Sequence, residues 1–255
     1  MVLPKRIDVK DISEFIIDVP IVREDFSIYP YFLEDNYFED LDINKIKNKL
    51  RTSEYVIKIF FSKIKDKETV SKFERFLDIN TKCFLFPKTL IFENRNLTAY
   101  VKLRAKGTNL SPSGLVAVNK VINGLVNVID DVKKLSDKKI QLGYLNSSDI
   151  YFDSTNDKFM ISNTDQYKII DSNSELIQYN TDCYKYALLR NIIGTEVELI
   201  PKNLLTSFNQ NDLNNYLINY KTTLEEYISK PIDNLNELQK THKLYIKKTN
   251  KNGYR

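Results

Sequence analysis

The stretch Gly107 to Gly114, GTNLSPSG, limits the available folds more than any other feature, because the hydrophobic pattern changes there. It is the run richest in turn-forming residues in the body of the chain, and no glycine precedes Gly107. Before it, apolar residues alternate at the period of strands; beyond it they recur at the period of helices. The pattern predicts an α+β protein with a strand-rich first part at 1–106, a linker at 107–114, a helical part at 115–239 and a basic tail at 240–255.

In the first part, Phe15-Ile16-Ile17 and Phe26 to Tyr29 read as short β runs, an acidic aromatic patch covers Tyr31 to Asp42, and Ile43 to Leu50 reads as helix. Glu54 to Ser62, EYVIKIFFS, is a strong strand candidate with Lys58 at its middle. That lysine is either an edge charge or an inward ammonium in need of a carboxylate. Asp66 to Asn80 reads as a helix capped by Asp66, with Val70, Phe73, Phe76 and Leu77 on its apolar face. Glu74 lies near that face, and either it pairs with Lys58 or both are surface charges. Lys88 to Glu93 and Leu97 to Arg104 form a hairpin about Asn94-Arg95-Asn96.

Beyond the linker, Leu115 to Leu135 predicts a long helix with the stripe Val118, Val121, Ile122, Leu125, Val128, Ile129 and Val132. A turn at Leu142-Gly143-Tyr144 and a polar loop at Asn146 to Asp149 lead into a hairpin of Ile150 to Phe152 and Phe159 to Ile161. Asp171 to Asn180 reads as irregular, and Thr181 to Ile193 as a buried helix stopped by Gly194. Leu204 to Phe208, Asp212 to Tyr220 and Leu224 to Ser229 are separate short helical pieces, followed by one more turn at Asn234 to Lys240.

Composition excludes several classes of function. With 42% hydrophobic and 28% charged residues over 255 positions, the chain can bury a core without disulfides or metals. Cys83 and Cys183 lack metal-ligand spacing, and a single histidine, His242, rules out a His-based triad. Absence of an apolar run of about 18 residues argues against a membrane partner, and free cysteines suit the cytoplasm. Nucleic acid is expected only through the tail, Lys240, Lys243, Lys247, Lys248, Lys251 and Arg255. Richness in Lys, Asn and Ile suits an AT-rich bacterial or phage genome.

The ordered motifs resemble the protein-kinase-like superfamily. VIKI (Val56 to Ile59) is similar to the family's lysine strand VAIK, with Glu74 at the place of the paired glutamate. LTAYVKLRAKGTNL (Leu97 to Leu110) resembles the hinge strand and its exit, GYLNSSDIYFD (Gly143 to Asp153) the bacterial catalytic loop GDLNxxNIxxD, and TDCYKYALL (Thr181 to Leu189) the helix TDxYSLAxLL. The resemblance implies a two-lobed fold in which Asp182 anchors the catalytic loop. Any nucleotide would meet Lys58, Glu74, Lys102 and Leu103, and any metal Asp149 and Asp165.

The departures imply a lost activity. Tyr144 stands where the family has its catalytic aspartate, Asp149 where it has a metal-binding asparagine, and Asn163, by alignment of ISNTDQY with IIDTDxY, where it has a metal-binding aspartate. No glycine-rich loop precedes Lys58 to wrap a triphosphate. The expectation is a pseudokinase, a binding or regulatory module acting through a protein partner, with no cofactor and at most weak ATP and magnesium binding. The alternatives are an atypical phosphotransferase or nucleotidyltransferase using Lys58, Glu74, Asp149 and Asp165, and a globular binding protein of another fold.

Overall fold

A computed structural model describes residues 3–15, 22–23, 26–31, 53–109, 116–171, 175–194 and 212–252. The expected patch at 32–42, the helix at 43–50, most of the linker and the piece at 204–208 lie outside the described residues. The protein is a mixed α+β chain that divides into two compact units, Met1–Asn80 with Leu85–Arg104, and Thr81–Phe84 with Ala105–Arg255.

The first unit is built on a six-stranded sheet. Its strands are β1 (Arg6–Val9), β2 (Val22–Arg23), β3 (Phe26–Tyr31), β4 (Tyr55–Ile64), β5 (Thr89–Glu93) and β6 (Asn96–Leu103), and helix α1 (Lys67–Phe76) follows β4. Strand order is β1-β5-β6-β4-β3-β2, antiparallel throughout except for the β1–β5 pair. Residues 12–15 form a 3₁₀ turn that ends on Phe15, and the rest of the short β run expected at 15–17 lies outside the described residues. Alternation along β4 sorts its side chains between the two faces. Ile57 and Ile59 join Tyr29, Ile91, Ala99 and Val101 in one buried cluster. Phe60 turns to the other face, where its ring meets Phe73 of α1 at 5.6 Å and Tyr100 at 5.7 Å.

Asp66 caps α1 by accepting the Thr69 N–H at 2.7 Å, and the helix buries Phe73 and Phe76, worth about 1.5–3 kcal/mol each. The β5–β6 connection is a two-residue turn with Asn94 at φ 51° and Arg95 at φ 67°, the left-handed pair that matches hairpin twist.

In the second unit, β7 (Thr108–Asn109) precedes helix α2 (Val118–Asp137), then β8 (Ile140–Gln141), β9 (Ile150–Asp153), β10 (Lys158–Ile161) and β11 (Lys168–Ile169). Strands β10, β9 and β7 make one small sheet, and β11 and β8 another. All seven residues of the expected stripe on α2 are buried. The β9–β10 hairpin lies against α2 at Gly124, where an added Cβ would stand 3.0 Å from the Asp157 carbonyl and from the Phe152 ring. Lys120 fixes the hairpin turn by donating to the Ser154 carbonyl at 2.9 Å and pairing with Asp157 at 3.0 Å. Residues 81–84 complete this unit. The Cys83 N–H donates to the buried Asp131 carboxylate at 2.6 Å, and burial, with the charge of Asp131, pushes the Cys83 thiol up to about 12.

Three further helices depart from expectation at their ends. Helix α3 (Leu176–Leu189) starts five residues earlier than the apolar pattern predicts, because Leu176 and Asn180 are buried on it. It closes in a wider π-helical turn, Arg190–Gly194, with Gly194 at φ 69°. Helix α4 (Asp212–Ile228) is continuous where two pieces were expected. The hydroxyls of Thr222 and Thr223 donate back to the Ile218 and Asn219 carbonyls, and Lys221 pairs with Glu225 one turn on, so the polar residues read as a turn stay helical. Helix α5 (Leu235–Asn252) takes up most of the expected basic tail. Thr241 and His242 are buried on it, and the His242 ring meets the Tyr220 hydroxyl at 2.6 Å.

Candidate functional site

The loop between β8 and β9 holds the residues that the sequence singles out, and its path is fixed by one amide. Asn180, fully buried on α3, accepts the Leu142 N–H at 2.8 Å and donates to the Ile140 carbonyl at 2.8 Å and to the Ser136 hydroxyl at 3.0 Å. One side chain thus ties the end of α2, strand β8 and the start of the loop. The loop then passes residue 166 closely, since a Cβ on Gly143 would lie 3.2 Å from the Gln166 Cβ. Asn146 opens a 3₁₀ turn at Ser147–Asp149 by accepting the Ser148 N–H. At the far side the Ser162 N–H donates to the Asp149 carbonyl at 2.9 Å, which brings the strand exit after β10 beside the loop.

This frame brings together two of the expected residues. The Asn163 Nδ2 donates to the Asp149 Oδ2 at 3.4 Å. Relative to the kinase-like pattern, the carboxylate and the amide have changed places across the contact. The pair offers one carboxylate, with a donor N–H turned toward it, where magnesium needs oxygen ligands in near-octahedral order. Among the described residues, no group of three or more His, Cys, Asp or Glu side chains is placed to hold a metal. Asp165 is partly buried in the turn between β10 and β11.

Tyr144 is 71% exposed and forms one wall of a pocket of about 260 Å³, lined also by Gly143, Leu145, Cys183, Tyr186 and Arg190. Cys183, Tyr186 and Arg190 follow at helical steps, so they share one face of the helix and its closing turn. Burial pushes the Cys183 thiol up, which keeps it protonated and a poor nucleophile. Tyr179 and Ile177 are also exposed on α3, at 43% and 40%. The pocket is therefore a half-open aromatic recess, and among the described residues its lining has one guanidinium and no carboxylate or imidazole.

Asp182 bonds within its own helix, to Gln178 at 3.2 Å and Lys185 at 3.5 Å, so the clasp expected of it belongs to Asn180. The apolar pattern missed Asn180 because the irregular reading of 171–180 cut the helix short. Its signal was spacing: Asn180, Tyr184 and Leu188 stand four apart and are all fully buried.

In the first unit, Lys58 and Lys102 are 2% and 4% exposed. They lie on the α1 face of the sheet with Tyr100, which pairs with Lys58 across β4 and β6. Lys58 is thus an inward lysine on a central strand. Glu74 is exposed on α1 and makes no ion pair with Lys58, because a helix that buries Phe73 and Phe76 turns position 74 outward. Leu103, half-buried, ends β6.

No protein-family model and no curated protein matches this chain. Among the described residues, no helix is long and apolar enough to cross a membrane.

Proposed function

We propose that the chain is a kinase-like pseudokinase, a module that binds a protein partner without transferring phosphate. Tyr144 carries the reading: a phenol, 71% exposed on a pocket wall, stands where the resemblance puts the carboxylate that accepts a substrate proton. General-base help is worth about 10²–10⁴-fold, and the carboxylate that would supply it is replaced. The Asp149–Asn163 contact supports the same reading, since the carboxylate and the amide of the metal pair have changed places and the amide donates to the carboxylate. The order of elements agrees with the resemblance, strands with one helix and then helices with a hairpin after the first. A partner would meet the aromatic recess of Tyr144 and Tyr186, residue types that anchor interfaces.

The test is incorporation of label from ATP bearing labelled phosphate or adenylate, with magnesium or manganese, into the chain and generic acceptors. No incorporation is expected. Incorporation that disappears in Lys58→Ala overturns the proposal in favour of an atypical transferase.

A second reading, nucleotide binding without transfer, draws on Lys58 and Lys102, buried on one sheet face at positions that the resemblance gives to a nucleotide site. It predicts a thermal stabilisation with ATP equivalent to about 2.7 kcal/mol at a hundredfold excess over Kd. An unchanged melt with ATP, ADP and GTP, with and without metal, rejects it.

A further inference from the structure

We propose that the outer face of α5 binds the phosphate backbone of double-stranded nucleic acid. The inference is independent of the pseudokinase reading and starts from the finding that residues 235–252 are helical. A frayed tail scatters its charges, whereas a helix fixes them. At about 100° per residue, Lys240, Lys243, Lys247 and Lys248 fall within an arc of about 140° and along about 12 Å of axis. All four are exposed. The opposite side carries Leu235, Leu238 and His242, all buried.

The four ammonium groups have no carboxylate within 4.0 Å among the described residues, whereas Lys5, Lys63, Lys120, Lys134, Lys185 and Lys221 each have one. Lys248 rests over the Tyr227 ring at 5.1 Å, a contact that leaves its charge intact. The one acidic residue of α5, Glu237, accepts the Asp233 N–H at 3.2 Å in the first turn.

Two features favour nucleic acid over an anionic membrane. A helix lying in a membrane interface buries an apolar face in lipid, and the apolar face of α5 is already packed in the protein; Leu244 is the one large apolar side chain exposed on it. Charges held in place along a rigid rod also suit an evenly charged polyanion, which releases counterions as the lysines replace them.

The test uses the full chain and a labelled 20-base-pair duplex of mixed sequence, titrated by fluorescence anisotropy between 50 and 200 mM salt. Binding is expected with a slope of log K against log salt of about −3 to −4, one unit for each phosphate contact. Changing Lys240, Lys243, Lys247 and Lys248 together to Gln should cost at least about tenfold in affinity at 50 mM salt and flatten the slope by about three. A charge-matched control changes Lys65, Lys67, Lys133 and Lys138, exposed on other elements, to Gln and should bind as the parent does. The proposal fails if the parent does not bind the duplex, if the control loses as much as the α5 variant, or if phosphatidylserine vesicles bind through these lysines and the duplex does not. Thermal melts of both variants matching the parent keep misfolding from mimicking the expected loss.

Discussion

At the scale of single residues, the loop between β8 and β9 separates frame from chemistry. Asn180 belongs to the frame. Replacing it with Ala leaves the buried Leu142 N–H and Ile140 carbonyl without their partner and should cost about 2–4 kcal/mol in urea unfolding. Asp182→Ala removes a partly exposed carboxylate that bonds within its own helix, to Gln178 and to the buried Lys185, and should cost less than the change at Asn180. Equal costs at the two positions would show that the loop is not held by Asn180. Tyr144 belongs to what the frame presents. At 71% exposure, Tyr144→Ala should leave the unfolding midpoint equivalent to within about 0.5 kcal/mol of the parent. A loss above about 2 kcal/mol would mean that the ring is core, and the recess would lose its claim as a binding surface.

Elements show where the chain tolerates no side chain. Gly107 holds φ 95°, and a Cβ there would lie 2.1 Å from the Phe152 carbonyl oxygen, against the strand that pairs with β7. Gly107→Ala therefore meets both a forbidden backbone region and a backbone clash, and a loss of more than about 3 kcal/mol is expected in denaturant unfolding. A melt like the parent's would mean that β7 is free to leave β9. That glycine was legible as a breaker, and the β4 strand, the Asp66 cap, the β5–β6 turn and the α2 stripe were legible for the same reason, since each is decided by neighbours within a few residues. What local pattern did not reveal depends on distant groups. The start of α3 is set by Asn180 reaching β8, and Lys58 and Glu74 are separated by which side of α1 meets the sheet. The pocket was hidden for the same reason, because Tyr144 and Arg190 are neighbours only after folding.

For the whole molecule, pH dependence rests on a residue that sequence placed in a tail. His242 is 1% exposed between α4 and α5, and burial, with the charge of Lys243, lowers its pKa from 6.5 to about 4. The native ring thus stays neutral over a range in which the unfolded chain takes up a proton, so the unfolded state binds more protons and stability falls as pH falls below about 6.5. The Tyr220 hydroxyl faces this ring at 2.6 Å, and burial keeps that phenol protonated, able to donate to Nδ1 of a neutral imidazole. Tyr245 stacks edgewise on Tyr220 at 6.4 Å and closes the cluster. At about 1.36 kcal/mol for each pH unit, the loss between pH 7 and pH 5 comes to at most about 2 kcal/mol. The carboxylates whose pKa values are lowered by hydrogen bonds, such as Asp153 beside Asn156 and Asp66 beside Thr69, add their own losses only at lower pH, as they begin to bind protons in the unfolded chain. Urea titrations at pH 7, 6 and 5 should therefore show a falling midpoint in the parent and a nearly flat one in His242→Phe, whatever that variant's stability at pH 7. The same slope in both proteins would place the titrating group elsewhere and leave the α4–α5 junction without a part in acid unfolding.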